Sequence, residues 1–460
     1  MTAPRQNAQG QNARRESVRV GAGAGYAGDR WEPALELVEK GGIDYLVFEC
    51  LAERTIAREA LTRLHNPELG YNPGLVERMR AVLPECLRRG VRIVTNMGAA
   101  NPLAAARRIR QEAADLGIND VPCAVVLGDD VADTVRRHPE LTLLETGDPL
   151  ETILGRMEAA NAYLGADAVA AALATGAPVI VTGRVADPSL FVGPMLYELG
   201  WDYDDYAALA CGTVAGHLLE CAGQVTGGYF ADPGKKEVPD PHRLGFPFAE
   251  VTRGGAVVLG KPDGSGGRID RMTCTEQLLY EMHDPAAYIT PDCVLDVSDV
   301  DFVAEGKDRV RVTGARARER TASYKVSVGY RDGYIGEGQM SYGGPNAAAR
   351  ARLAGEIVTE RLKLRGFAYA ELRVDYIGMS SLHGAAERRE EPYEVRLRVA
   401  ARTPDRKAAE AVGGEVETLY TNGPAGGAGD FKAVREILAV QSVLLPRALV
   451  SPRVVVEAAS

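Results

Sequence analysis

The chain has 460 residues, 46% of them apolar and 25% charged, with a formal net charge of −10. That size supports two or three globular domains, and a mild acidity spread without acidic or basic blocks excludes nucleic acid as the main partner. No apolar run approaches the length of a membrane span, about 18 residues, and the start lacks the apolar core of a signal peptide, so a cytoplasmic protein with no membrane partner is expected. The seven cysteines are scattered, odd in number and free of CxxC pairs, as expected of reduced thiols.

Residues 1–16 are polar and aperiodic and read as a disordered leader. Over 17–288, apolar runs alternate with helical stretches. The runs are VRVGAGA (18–24), IDYLVFEC (43–50), VRIVTNMG (91–98), VPCAVVLGDD (121–130) and APVIVTGRVAD (177–187). Between them lie helical patterns over 33–40, 72–90, 101–117 and 153–176. Continuous β-branched strands alternating with amphipathic helices predict an α/β domain, a parallel sheet with helices on both faces. Gly90, Gly117 and Gly176 stand where left-handed helix caps are wanted, and Asn72 and Asn101 precede proline at helix starts.

After residue 187 comes a small-residue helix over 206–225, then a Gly/Pro/Asp-rich loop, a strand and a helix. From 289 to 460 polar and apolar residues alternate at period two between helices, which predicts a smaller α+β domain with antiparallel strands. Asp332-Gly333 is a two-residue hairpin signal, and the Gly-rich loop over 420–430 leads into a helical pattern over 431–440.

In an open α/β sheet ligands bind beyond the carboxyl ends of the strands, which selects the residues just after each apolar run. Gly23-x-Gly25-x-x-Gly28 follows the first strand, with Glu49 about twenty residues on, as in a dinucleotide fingerprint. Two departures argue against NAD: the helix starts near Trp31, beyond Gly28, and Asp29 puts negative charge where a pyrophosphate would sit. The loop then reads as another anion cradle, with Gly21, Gly23, Gly25 and Asp29, or as a structural turn. Asn96 has no capping task at its strand end and suits an oxyanion donor, whereas Asn101 reads as a helix cap or an anion ligand. Arg184 suits a carboxylate or phosphate clamp oriented by Asp187, or an ion pair that only fixes the loop. His217, Glu220 and Cys221 share a helical face, so His217 is either a general base or a satisfied buried residue, and Cys221 a nucleophile or core filling. Gly227 and Gly228 form a loop corner at the same rim. Asp129 and Asp130 read as a solvated turn more readily than as a metal site, and no metal is expected.

The segments RVGAGAGYAGDRWEPALEL, DYLVFECLAERT, VTNMGAANP, TGRVADPSLF, GHLLECAGQVTGGYFADPG, TEQLLYEMHDP, YKVSVGYRDGYIGEGQMSYGGPNA and YTNGPAGGAG, in that order, resemble the acyclic terpene utilisation AtuA family. The resemblance implies a role in bacterial breakdown of acyclic terpenoids such as citronellol and geraniol, beside enzymes of branched acyl-CoA intermediates. Some relatives carry a further C-terminal ferredoxin-like domain, so a separate small partner subunit of that fold is an expectation here, as is a homo-oligomer.

The preferred reading is an enzyme that binds a small anionic substrate, a carboxylate or acyl-CoA. It would hydrate, dehydrate or isomerise an activated double bond. Glu49 or His217 would be the base, Asn96 the oxyanion donor, and Arg184, held by Asp187, and the Gly21–Gly25 amides the clamp. Coenzyme A would enter as a thioester substrate, and no resident cofactor is expected. The alternative is a non-catalytic subunit or ligand-binding module of an acyl-CoA-processing complex.

Overall fold

A computed structural model describes residues 14–384 and 392–458. Of the leader expected over 1–16, residues 1–13 lie outside the described residues; Arg15 is placed, and pairs with Glu198 at 3.1 Å. The chain packs as two compact units, one running to Gly329 and including Val440–Ser460, the other Tyr330–Ala439.

The first unit opens with β1 (Ser17–Ala24), α1 (Glu32–Lys40), β2 (Tyr45–Phe48), α2 (Glu53–His65), α3 (Leu75–Arg89), β3 (Arg92–Thr95), α4 (Pro102–Asp115) and β4 (Cys123–Leu127). Two short helices, α5 (Ala132–Arg136) and α6 (Glu151–Leu154), precede β5 (Met157–Ala162), α7 (Ala166–Leu173), β6 (Val179–Thr182), α8 (Asp187–Leu199) and α9 (Tyr206–Glu220). Then come β7 (Phe248–Thr252), β8 (Val257–Gly260), α10 (Arg271–Leu278), β9 (Tyr288–Ile289), β10 (Val294–Asp296), β11 (Asp301–Gly306), β12 (Arg309–Thr313) and β13 (Arg316–Arg318).

The architecture is mixed α/β. A ten-stranded sheet has the order β11-β12-β8-β7-β1-β2-β3-β6-β4, closed at its far edge by β18 (Arg453–Glu457). Its middle five strands, β1, β2, β3, β6 and β4, are parallel, and every outer pairing is antiparallel. The expected parallel sheet is therefore only its centre. Consecutive residues of β2, β3 and β6 are buried, which is the pattern of strands covered on both sides. Two helix groups, α1 with α3 and α4, and α7 with α8 and α9, pack on these strands.

Gly90, Gly117 and Gly176 have φ of 72°, 74° and 80°, as left-handed caps require, and the Asn101 side chain caps α4, whereas α3 starts only at Leu75 and Asn72 accepts the Gly74 N–H at 2.7 Å ahead of it. Several expectations give way to pairing. The stretch over 153–176 reads as one helix because it is alanine-rich, yet Met157–Ala162 is a strand beside β14 (Ser323–Gly343). The alternating segments near 301–313 extend the large sheet through β8 rather than founding a second domain.

The second unit contains α11 (Ala347–Leu364), β15 (Glu371–Ile377), β16 (Glu394–Thr403), α12 (Arg406–Glu417), α13 (Leu419–Asn422) and parts of β14 and β17 (Ala428–Pro446). Its sheet runs β15-β16-β14-β17, with antiparallel registers between β15, β16 and β14. α11 and α12 bury Ala351, Val358, Val412 and Val416 with Leu397 and Val399 of β16. No hairpin forms at Asp332-Gly333: β14 continues through Gly333, whose φ is 83° and where an added Cβ would stand 2.5 Å from the Thr403 carbonyl oxygen. The helix expected over 431–440 is likewise strand β17, because sheet pairing overrides the helix preference of its Lys, Ala, Arg and Leu residues.

Candidate active site

The parallel strands end on one side in Gly25, Glu49, Asn96 and Arg184, and the site begins there. Glu49 leaves β2 and is 7% exposed. Its Oε1 accepts the Leu51 N–H at 2.8 Å and Asn96 Nδ2 at 2.9 Å. Asn96 Oδ1 in turn accepts the Cys50 N–H at 2.7 Å, so this fully buried amide positions Glu49 and is not free to act as an oxyanion donor. Burial, and then the Asp187 carboxylate, push the Glu49 carboxyl well above its usual range.

Glu53 opens α2 one turn further on. Burial acts to raise its carboxyl, but Arg184, the Tyr163 hydroxyl that donates to it and Lys325 hold it at about 2.

Arg184 sits in the turn after β6, where its backbone N–H donates to Asp129 at 2.8 Å. Asp129, also bonded by Asn161 Nδ2 at 3.0 Å, is thus a structural clasp of that turn. The Arg184 guanidinium is 2% exposed, donates to the Leu51 carbonyl, lies over the Tyr163 ring at 4.1 Å and pairs with Asp187 at 3.0 Å. Asp187 starts α8, followed by Pro188, an acid and a proline in the first turn where both suit the helix. Burial, with Glu220, Glu53 and Glu281 nearby, raises Asp187 to about 7 against the pull of Arg184.

At the end of α9, His217 Nδ1 and Glu220 Oε1 are 2.9 Å apart, and His217 Nε2 is 3.0 Å from the Leu278 carbonyl. His217 has no exposure. Glu220 is 7% exposed, and its Oε2 has no partner within the protein. Burial alone would lower the imidazole, but Glu220 raises it; burial raises Glu220 in turn.

A cavity of about 960 Å3 opens between these elements, lined by Gly25, Asp29, Arg30, Glu49, Glu53, Asp187, Glu220, Gly227, Gly228 and Glu281, among others. A smaller one of about 360 Å3 adjoins it, lined by Tyr163, Arg184, Tyr288 and Tyr324 with Glu53, Asp187, Glu220 and Glu281. Both lie wholly in the first unit. Among the described residues no three His, Cys, Asp or Glu side chains are grouped to hold a metal ion.

The site thus gathers Glu49, Asp187, Arg184, Gly25, Asp29, Gly227 and Gly228 at one pair of cavities, with Asn96 and His217 directly behind. Gly21 and Gly23 lie elsewhere: they belong to β1, where an added Cβ would meet Leu37 at 2.6 Å and Phe48 at 2.8 Å. Asn101 is a cap whose Nδ2 donates to the Pro67 and Leu69 carbonyls at 2.7 Å. The Gly25 amide is taken by Asp29 Oδ2 at 2.9 Å, and a Cβ on Gly25 would stand 2.5 Å from the Cys221 carbonyl carbon. The glycine spacing of this loop is explained by the protein's own packing. The Gly227 and Gly228 amides are also bonded internally, to Gln224 and Gly223.

A family model described as acyclic terpene utilisation family protein AtuA matches residues 18–456. The chain belongs to the AtuA family. Membership links it to acyclic terpene utilisation and spans both units. No curated protein and no solved structure gives a match. Sequence reasoning left Glu53, Tyr163, Glu281 and Tyr288 of this AtuA site unmarked, although Glu53 follows the same strand end as Glu49.

Proposed function

We propose that this AtuA-family chain is an acid–base enzyme that adds water to, or removes it from, an activated double bond of a branched carboxylic acid or its coenzyme A thioester. The observation that carries this reading is the split among neighbouring carboxyls on one cavity wall: Glu53 ionised at about 2, Asp187 raised to about 7, and Glu49 held protonated well above the usual range. Environments that push like groups apart let one site supply both acid and base near neutral pH.

In the hydration direction, ionised Asp187 takes a proton from water. The water oxygen bonds to the β-carbon, and the double-bond electrons shift toward the α-carbon and carbonyl. Glu49, whose Oε1 is occupied by two N–H donors, carries its proton on Oε2 and delivers it to the α-carbon. Return of a proton from Asp187 to Glu49 through solvent restores the starting state. Isomerisation of the double bond would use the same pair without water. Arg184 acts through Asp187, and Asn96 through Glu49.

Incubation with a branched 2-enoyl-coenzyme A in heavy water, followed by mass spectrometry, tests the reading. The expected result is water addition or deuterium uptake, reduced by about 10²- to 10⁴-fold in Glu49→Gln and Asp187→Asn. Product formed by either variant as fast as by the native protein, or neither product nor exchange with the native protein, would overturn it.

A further inference from the structure

Residues 453–457 read Arg-Val-Val-Val-Glu, three consecutive β-branched residues between two opposite charges, with no glycine or proline to interrupt a strand. They form β18, which closes one edge of the ten-stranded sheet by antiparallel pairing with β4, from Arg453 opposite Leu127 to Glu457 opposite Cys123. Among the described residues nothing pairs with the outer edge of β18. No residue of this strand is buried, and Val455 is 37% and Val456 46% exposed.

An open edge with unpaired backbone groups invites another strand, and proteins ordinarily blunt it with a bulge, a proline or charges. The opposite edge of the same sheet, β11, is treated in that way. Its register shifts between Ala304 and Gly306, and its acids are engaged, Asp301 by Arg271 at 3.0 Å and Glu305 by Arg311 Nε at 2.6 Å. β18 lacks these devices. Its three central residues are uncharged, its register with β4 is unbroken, and the side chains of Arg453 and Glu457 have no ion-paired or hydrogen-bonded partner among the described residues.

The order of the five residues selects the strand that fits. When β18 is laid antiparallel against a copy of itself about Val455, Arg453 of each chain stands opposite Glu457 of the other, Val454 opposite Val456, and Val455 opposite Val455. Residues directly opposite share a face, so two ion pairs and three valine pairs form together. A slip of one residue sets both charges against uncharged neighbours, and parallel pairing in register sets like charge against like. Two strands of this length bury too little for stable association by themselves, but α4 and α7 pack against β18 and would be carried to the same contact.

We infer that the outer edge of β18 is the two-fold interface of a homodimer, in which the large sheet continues from one chain into the other through antiparallel pairing centred on Val455. No residue of β18 lines either cavity, so this inference is independent of the function proposed above.

The test is sedimentation velocity over a concentration series for the native protein, Arg453→Glu, Glu457→Arg and Val455→Lys. The three sites are exposed or half-exposed, so the variants are expected to melt with the native protein. The native protein should be a dimer. Each charge reversal should weaken it by at least about tenfold, because the altered pair occurs twice in the dimer, and Val455→Lys should do the same by setting two ammonium groups opposite each other at the axis. An equimolar mixture of Arg453→Glu and Glu457→Arg has complementary ends again and should recover dimers of about native affinity. A native protein that stays monomeric throughout the series, variants that dimerise as the native protein does, or folded charge variants whose mixture does not recover would each overturn the inference. Were either charge variant to unfold, Val455→Lys decides: dimers as tight as the native ones would place the interface elsewhere.

Discussion

His217 is held at both ring nitrogens, by Glu220 at 2.9 Å and the Leu278 carbonyl at 3.0 Å, with no surface of its own. Its ring has no position left for a substrate, so its task is to fix Glu220, whose second oxygen faces the cavities. His217→Ala would leave both partners without a bond and is expected to lower stability by about 1–3 kcal/mol, measured by chemical unfolding. An unchanged midpoint and slope would show that the two bonds are not formed. The residues at this scale were legible where they follow a strand end: Glu49, Asn96, Arg184 and Asp187 all do. Tyr163 was hidden because the strand before it, Met157–Ala162, carries helix-forming alanines. Glu281 lies in an irregular loop after α10 and Tyr288 in β9, a strand of two residues, too short for periodicity to mark a position. Gly21 and Gly23 show the reverse error, a ligand-like spacing that serves packing against Leu37 and Phe48.

At the scale of elements, the approach of Glu220 to Asp187 depends on the crossing of α8 and α9. α9 is rich in small residues, and a Cβ on Gly216 would stand 2.6 Å from the Pro188 carbonyl oxygen. This absence of a side chain lets the end of α9, bearing Glu220, approach the start of α8, bearing Asp187. Glycine to alanine in a helix interior ordinarily stabilises by about 0.5–1 kcal/mol. Here Gly216→Ala is expected to destabilise by about 1–3 kcal/mol, because the backbone of α8 must move. A gain in stability would contradict the close crossing. The helices themselves were readable from periodicity and caps, and the parallel strands from their apolar runs. What could not be read locally was pairing: β5 and β17 look helical in sequence and become strands only beside β14, and the antiparallel flanks of the large sheet are set by partners distant in the chain.

At the scale of the whole molecule, one cavity wall holds three carboxyls that resist ionisation, Glu49, Asp187 and Glu220, and this links stability to pH. Asp187 moves from 3.8 to about 7 on folding, so between those values the folded chain holds more protons than the unfolded one and stability falls as pH rises. Glu53, lowered to about 2, acts with the opposite sign, and its contribution is lost only in acid, as pH falls from 4.5 toward 2. The two windows barely overlap, which makes them separable. The most direct measurement of the account is the unfolding stability of the native protein and of Asp187→Asn compared at a series of pH values from 4 to 8, a range chosen to span the rise of Asp187 to about 7. Asparagine has no proton to lose, so the variant should gain on the native protein steadily up to about pH 7 and then hold that difference. A difference between the two that does not change with pH would mean that Asp187 ionises as an ordinary carboxylate, and the acid–base pair at the cavity wall would be contradicted.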